Sequence, residues 1–304
     1  RYQGADPVFM DCDDSLCMDP VKLRAFCEEE CEWDGEHLRH KRDGKHIKAI
    51  VVVHVFGNLA DMEAIMSVAE EFGLPVIEDA TEALGSRFNA GKYAGMPAGT
   101  IGAFGAYSFN GNKIITTGGG GAVTARDRKA CEHIRYLSTQ AKDDELFYIH
   151  REIGFNYRMT NLQAAVGVAQ MEMLPEFLRR KEQNYRYYRE AFAGCETCEL
   201  LPFRPGTAPN YWFYSLLLYP GGSAPDLRGI IAALRERGVQ TRPVWGLIHE
   251  QKPYAGMTAY RINAARDYAA RILNIPCSTQ LTKEEILYVA DAVREVLSGD
   301  RFFT

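Results

Sequence analysis

The stretch YSFNGNKIITTGGGG (107–121) sets one lysine, Lys113, between a Ser-Phe-Asn-Gly-Asn run and two threonines followed by four consecutive glycines. A primary amine can do covalent chemistry: in a desolvated pocket it attacks a carbonyl and holds the carbon as a Schiff base. On an exposed turn it would be only a solvated cation. Asp79, in VIEDATEALGS, stands at the carboxyl end of an apolar run. A carboxylate there is expensive to bury without a positive partner, although aspartate also serves as a helix N-cap. Ser108 offers a hydroxyl donor, and Gly118–Gly121 permit close approach of backbone to a ligand.

The elements that must position these groups follow from periodicity. IKAIVVVHVFG (47–57) has the continuous β-branched character of a strand buried on both faces. DMEAIMSVAEEFG (61–73) has helical spacing and a glycine stop. LPVIEDA (74–80) is a second buried strand, GTIGAFGAYSF (99–109) a third strand or strand pair, and GGAVTAR (120–126) a fourth, before DRKACEHIRYLST returns to helix. Strands alternating with helices predict an α/β fold with a mostly parallel sheet, in which ligands bind beyond the carboxyl ends of the strands. Asp79 lies at such an end.

In the second half, residues 160–192 have a long helical pattern interrupted by Pro175, predicting two helices or one kinked at the proline. YWFYSLLLYP (211–220) reads as a strand whose YWFYSL portion is core. DLRGIIAALRERGV (226–239) reads as a helix, as does TKEEILYVADAVREVL (282–297), with Thr282 and Glu285 in capping-box positions. NYRYYREAF reads as a packed, partly solvated helix face. The expected division is a large domain at 1–185 and a smaller C-terminal α+β domain at 186–304.

The totals fit a globular chain: 304 residues, 46% hydrophobic and 25% charged, with net charge −5. That charge argues against nucleic acid or an anionic membrane as partner. No apolar run approaches the roughly 18 residues of a membrane span. The N-terminal residues contain no apolar core of the secretory kind, so the eight cysteines are expected reduced, in a cytoplasmic protein. Cys12, Cys17, Cys27 and Cys31 contain no C-x-x-C pair, and the C-x-x-C of Cys195 and Cys198 has no matching partner pair. These spacings argue against a metal site.

Taken together, Lys113, Asp79 and Ser108 meet the needs of pyridoxal 5′-phosphate (PLP). That cofactor requires a lysine for its aldehyde, a carboxylate that keeps its ring nitrogen protonated, and donors for its phosphate. No G-x-x-x-x-G-K-[ST] or G-x-G-x-x-G motif follows a strand in the order that a nucleotide-only site would need.

The stretches VIEDATEALGS, GAYSFNGNKIITTGGGGAV and GFNYRMTNLQAAVGVAQM, with VHVFGNLADMEAI upstream, resemble the DegT/DnrJ/EryC1/StrS family of PLP-dependent nucleotide-sugar aminotransferases. The resemblance implies a fold-type I transferase with glutamate as amino donor and the C4 keto group of a nucleotide-linked 4-keto-6-deoxy sugar as acceptor. GVQTRPVW…H resembles the branch acting on UDP-linked sugars. The resemblance further implies Lys113 as the Schiff-base lysine and Asp79 as the pyridinium partner. It places Glu82 beside the ring's phenolic oxygen and Ser108 on the phosphate. Asn156 would reach the phosphate of a neighbouring subunit's cofactor, which makes a homodimer part of the mechanism. Arg158 and Arg242 suit a substrate phosphate or carboxylate, or a structural ion pair. His249 is a candidate to face the sugar nucleotide, and His54 reads as a structural histidine. Residues 1–46 lack the phosphate-binding turn and ring-stacking residue that family members carry ahead of the first strand, so the chain is expected to be truncated relative to the family. Two alternatives stay open: a sugar dehydratase, whose relatives carry histidine in place of the lysine, and a non-catalytic sugar-nucleotide-binding paralogue.

Overall fold

The computed structural model describes residues 1–144, 146–219 and 225–299. The first helix, α1 (Pro20–Glu30), starts where the Asp19 carboxylate accepts the backbone N–H groups of Val21 and Lys22. Strand β1 (Ile50–Val53) leads to α2 (Met62–Glu71), capped by Asp61 on the Ala64 N–H. Strands β2 (Val76–Asp79), β3 (Phe104–Ser108) and β4 (Gly121–Ala125) complete a sheet of order β1-β2-β3-β4. The first three are parallel and in register through Val53, Asp79 and Ala106, whereas β4 runs antiparallel to β3.

Helix α3 (Arg128–Ser138) precedes α4 (Asn161–Ala191), a single 31-residue helix with Pro175 inside it. Of the two expectations, two separate helices do not form: the helix is continuous across the proline. Proline deprives only the Met171 carbonyl of its donor, and packing on both sides of it carries the helix through. Leu174 packs with Ile114 and Ile115, and Tyr185, Tyr188 and Ala191 pack into a second core. The start of α4 is secured by a capping box between Thr160 and Gln163.

Beyond α4 come β5 (Cys198–Leu200), β6 (Tyr214–Leu218), α5 (Leu227–Glu236), β7 (Arg242–Pro243), α6 (Ala264–Arg271), β8 (Ile272–Ile275) and α7 (Lys283–Leu297). The second sheet has order β5-β6-β8-β7 and is antiparallel throughout. Pro220, the last residue of the predicted 211–220 strand, lies outside the described residues. Thr282 and Glu285 form the expected capping box on α7.

Two large cores result. The first gathers Phe26, Val52, Ile65, Val76 and Ile101, and the second Tyr188, Tyr214, Leu216, Ile230, Leu273 and Val293. The chain also returns to its beginning: Phe9–Met10 pairs in parallel with Ala259–Tyr260, and Tyr260 joins the first core. One expectation fails in the first sheet. Strand β1 was predicted to be buried on both faces, yet Val51 is 51% and Val53 36% exposed, because no described element packs against that side. The predicted strand at 99–109 shortens to β3, since Gly99, Ile101 and Gly102 direct their N–H groups to the Glu78 carboxylate instead of to a ladder. No helix among the described residues is long and apolar enough to cross a membrane.

Candidate active site

Strands β3 and β4 form a hairpin whose loop, residues 109–120, carries Lys113. The loop is tied across its base: Phe109 N–H donates to the Gly120 carbonyl and Thr117 N–H to the Phe109 carbonyl, each at 3.0 Å. Ile114 and Ile115 bury against Leu174, and Thr116 N–H donates to Gln170 of α4 at 3.2 Å. Two of the glycines also have a local backbone task. Gly120 takes φ +88°, and a Cβ on Gly121 would sit 2.3 Å from the Tyr107 carbonyl oxygen, so these residues bring the chain back onto β3.

Lys113 Nζ lies 3.8 Å from Glu82 Oε1 and 4.3 Å from the centroid of the Trp212 ring, and it makes no hydrogen bond among the described residues. Glu82 Oε2 accepts the Phe56 N–H at 2.7 Å. Burial pushes the Glu82 carboxyl up to about 7, despite the opposing pull of the Phe56 N–H and the Lys113 ammonium; the charge of Asp79 adds to the rise. Phe56 is held at φ +59°, a costly conformation for a residue with a side chain, and its N–H is thereby aimed at Glu82.

Successive strand residues point to opposite sides, which separates Asp79 from Glu78. Glu78 is wholly buried and accepts His54 Nε2 at 3.0 Å together with the three loop N–H groups. Burial raises this carboxyl, but His54 and the N–H groups outweigh it and hold it below the usual range. The Ala60 N–H donates to His54 Nδ1 at 3.2 Å, so Nε2 carries the imidazole proton and His54 is structural, as expected. Asp79 Oδ1 accepts the Thr81 N–H at 3.1 Å, and Oδ2 makes no hydrogen bond among the described residues. No helix begins there, so this is a local aspartate turn and not an N-cap. Ser108 Oγ accepts the Asn110 N–H at 3.2 Å, which leaves its hydroxyl proton available to another acceptor.

The other candidates stand apart from this group. Asn156 and Arg158 are exposed ahead of α4, and their side chains make no hydrogen bonds among the described residues. Arg242 is exposed and donates to the Thr241 carbonyl at 3.0 Å. His249 sits 3.2 Å from Arg266 Nη2 and 3.5 Å from Glu250, with Phe9 beside its ring.

The sequence reading missed the wall facing Lys113. YWFYSL was assigned to core, and Tyr214 and Trp212 are both buried, but the reading did not foresee that Trp212 also walls in the amine. That indole is only 2% exposed, yet it lies against Lys113 and donates through Nε1 to the Asn112 carbonyl at 2.7 Å. Phe213 stacks on it at 4.0 Å, and Phe56 lies 5.2 Å from both Phe213 and Trp245. Asn210 fixes the wall's approach: its Nδ2 donates to the Glu82 and Leu84 carbonyls at 2.7 and 3.0 Å, and its Oδ1 accepts the Trp212 N–H at 3.0 Å. Only glycine fits opposite, since a Cβ on Gly57 would lie 1.8 Å from Asn210 Oδ1. Buried Lys181 donates to the Trp212 carbonyl at 2.7 Å and to that of Cys277; burial lowers its pKa. The density of aromatic residues in NYWFY was the one available signal.

The profile of the DegT/DnrJ/EryC1/StrS aminotransferase family matches residues 1–294. EpsN of Bacillus subtilis is 35% identical over 289 residues, covering 93% of this chain and 70% of EpsN. A GDP-perosamine synthase of Caulobacter vibrioides is 34% identical, covering 97% of this chain and 74% of that protein. Among solved structures, a DegT DnrJ EryC1 StrS aminotransferase from Brucella abortus aligns with TM-score 0.83 at 25% identity, over 96% of this chain and 74% of that one.

Proposed function

Because this chain belongs to the DegT/DnrJ/EryC1/StrS aminotransferase family, we propose that it transfers an amino group from glutamate to the C4 keto group of a nucleotide-linked 4-keto-6-deoxy sugar. It is a fold-type I aminotransferase acting on nucleotide sugars, and its cofactor is PLP. Lys113 carries the reading. A mostly buried amine without a hydrogen bond among the described residues, between an indole and a carboxyl, is fitted to receive an aldehyde. Asp79 and Ser108 fit as well, because each keeps one bonding position open: an Oδ2 lone pair and a hydroxyl proton.

Bound PLP supplies the electron sink that stabilises negative charge at the amino-bearing carbon. Lys113 would hold the aldehyde at rest and, once the substrate amine has displaced it, would serve as general acid and base, carrying a proton between the amino-bearing carbon and the cofactor's C4′. Asp79 accepts the ring nitrogen's proton in a hydrogen bond and keeps it in place. Glu82, titrating near neutrality, offers an O–H to the phenolic oxygen. Ser108 donates to the phosphate. Trp212 shields one side of Nζ from water, which strengthens the electrostatic interactions around it.

Asn156 serves the site of a second copy. Its exposure supports this, as do its apolar neighbours on the same segment and on α4: Ile153 is 88% and Leu162 82% exposed. The large unit at 1–185 then carries the cofactor and the unit at 186–304 closes over it. Arg158, Arg242 and His249 are assigned to the substrate. We place the reaction in the cytoplasm, a compartment that suits eight cysteines with no structural disulfide among them. The resemblance of GVQTRPVW supports UDP as the nucleotide. The name of the Caulobacter relative makes GDP the competing reading.

Borohydride treatment of the PLP-loaded protein should fix the cofactor on Lys113, as read by peptide mapping. UDP-, GDP- and TDP-linked 4-keto-6-deoxyhexoses with glutamate should then be compared by mass spectrometry of the amino-sugar product. Lys113→Ala should abolish turnover; retained turnover refutes the assignment. Mixing Lys113→Ala with Asn156→Ala protein should restore part of the activity if two copies share each site.

A further inference from the structure

We propose that Cys195 and Cys198 form a thiol–disulfide exchange site, which closes into a reversible disulfide on reaction with a small-molecule disulfide. The pair lies where the chain leaves α4 and enters β5, at the rim of the second core and on different elements from Lys113. The two sulfur atoms are 3.5 Å apart, the one thiol–thiol contact among the hydrogen bonds of the described residues. A disulfide bond is about 2.05 Å long, so closure needs a sulfur displacement of roughly 1.5 Å, within the reach of side-chain rotation in a turn. The sulfurs are unequally placed. Cys195 is partly exposed, whereas Cys198 is fully buried at the first position of β5.

The environment sorts their roles. Burial raises the Cys195 thiol, but the hydroxyl and N–H of Thr197, whose Oγ1 is 3.3 Å away, and the Cys198 thiol outweigh it and hold it below its ordinary value. Burial pushes Cys198 well above its ordinary value, and the nearby Arg294 guanidinium offsets little of that rise. This is the arrangement of an attacking and a resolving cysteine. Zinc is the other use of a C-x-x-C pair, but no group of three or more His, Cys, Asp or Glu side chains among the described residues is placed to share an ion.

In the reaction, the Cys195 thiolate attacks one sulfur of a disulfide R–S–S–R, forming a mixed disulfide and releasing one thiolate. Cys198 then loses its proton and attacks the Cys195 sulfur, displacing the second thiolate. Both released thiolates take up the protons shed by the cysteines. Two protein thiols are oxidised and one small disulfide is reduced to two thiols.

The test is to incubate the PLP-loaded protein in mixtures of oxidised and reduced glutathione, then denature, alkylate and map the peptides. The Cys195–Cys198 peptide should lose both alkyl groups together, before exposed Cys131 reacts, and regain them with dithiothreitol. Cys198→Ser should halt at a glutathione adduct on Cys195, and Cys195→Ser should leave Cys198 alkylated. The proposal is overturned if the unsubstituted protein keeps both cysteines alkylated where Cys131 has reacted, or if it accumulates the Cys195 adduct without an internal link.

Discussion

Every residue of β6 and β8 in the second sheet is buried, whereas along β1 of the first sheet burial alternates and Val51 and Val53 face outward. The second sheet is covered by its own helices, with α4 and α7 packing together and α5 against α7. The first has a core on one side and a bare valine row on the other. Chemistry and stability are therefore lodged apart. The amine, both site carboxylates and the serine hydroxyl come from the half with the uncovered face, and the half that closes on itself contributes the indole that walls the amine in. A group such as Glu82, shifted by burial, sits where the two meet, because Asn210 from the second half bonds its carbonyl.

The difference can be broken most forcefully inside the closed core. Tyr214 is fully buried and its hydroxyl donates to the Lys181 carbonyl at 2.7 Å, so Tyr214→Ala should lower the unfolding free energy by about 3–5 kcal/mol in urea titrations. A loss near 1 kcal/mol would mean that this half is no better packed than the other. The next effect is a pH slope. Burial pushes Glu82 up to about 7 in the folded protein, from its ordinary value of 4.5. Between those values the folded state holds a proton that the unfolded chain has shed. Its contribution to stability is therefore complete below 4.5 and is lost as pH rises through 7. Glu82→Gln should remove that slope, so its stability relative to the parent should rise between pH 5 and pH 8, by up to roughly 3 kcal/mol. An unchanged difference would place Glu82 in water.

Trp212→Phe keeps a ring over Lys113 but removes the bond to the Asn112 carbonyl. Turnover should fall roughly tenfold through loss of lysine placement, while thermal stability changes by only about 1 kcal/mol. Equal activity would show that the indole only fills space. At the small end, Val53→Ala on the bare face should stay within about 0.5 kcal/mol of the parent. A larger loss would show that another surface covers that row, and dilution of the protein would then reveal whether a second copy supplies it.

Much of the first half was legible because its signals are local. Periodicity located β1, α2, β2, β4, α3 and α4 to within a few residues, and the strand end at Asp79 follows from one apolar run. Elements whose signals are weak escaped: β8 is the four-residue ILNI, contains an asparagine and follows α6 without a turn residue. Pro175 left two readings open because its effect is local, while the packing that keeps the helix continuous is not. Lys113, Asp79 and Ser108 were singled out as candidates from residue type, whereas Glu82 and Asn156 came only through family resemblance. Trp212 was hidden, since a buried aromatic looks the same in sequence whether its other face meets core or a lysine.

The hydrogen bond from Trp212 to Asn112 spans 100 residues of chain, and this bears on the order in which the site is built. The hairpin that carries Lys113 closes between neighbouring strands, at small entropic cost, whereas its indole cover must be brought in across a long intervening chain. During synthesis the amine emerges on its loop well before Trp212 has left the ribosome. The cover over Lys113 thus depends on a segment synthesised well after the loop that carries the amine.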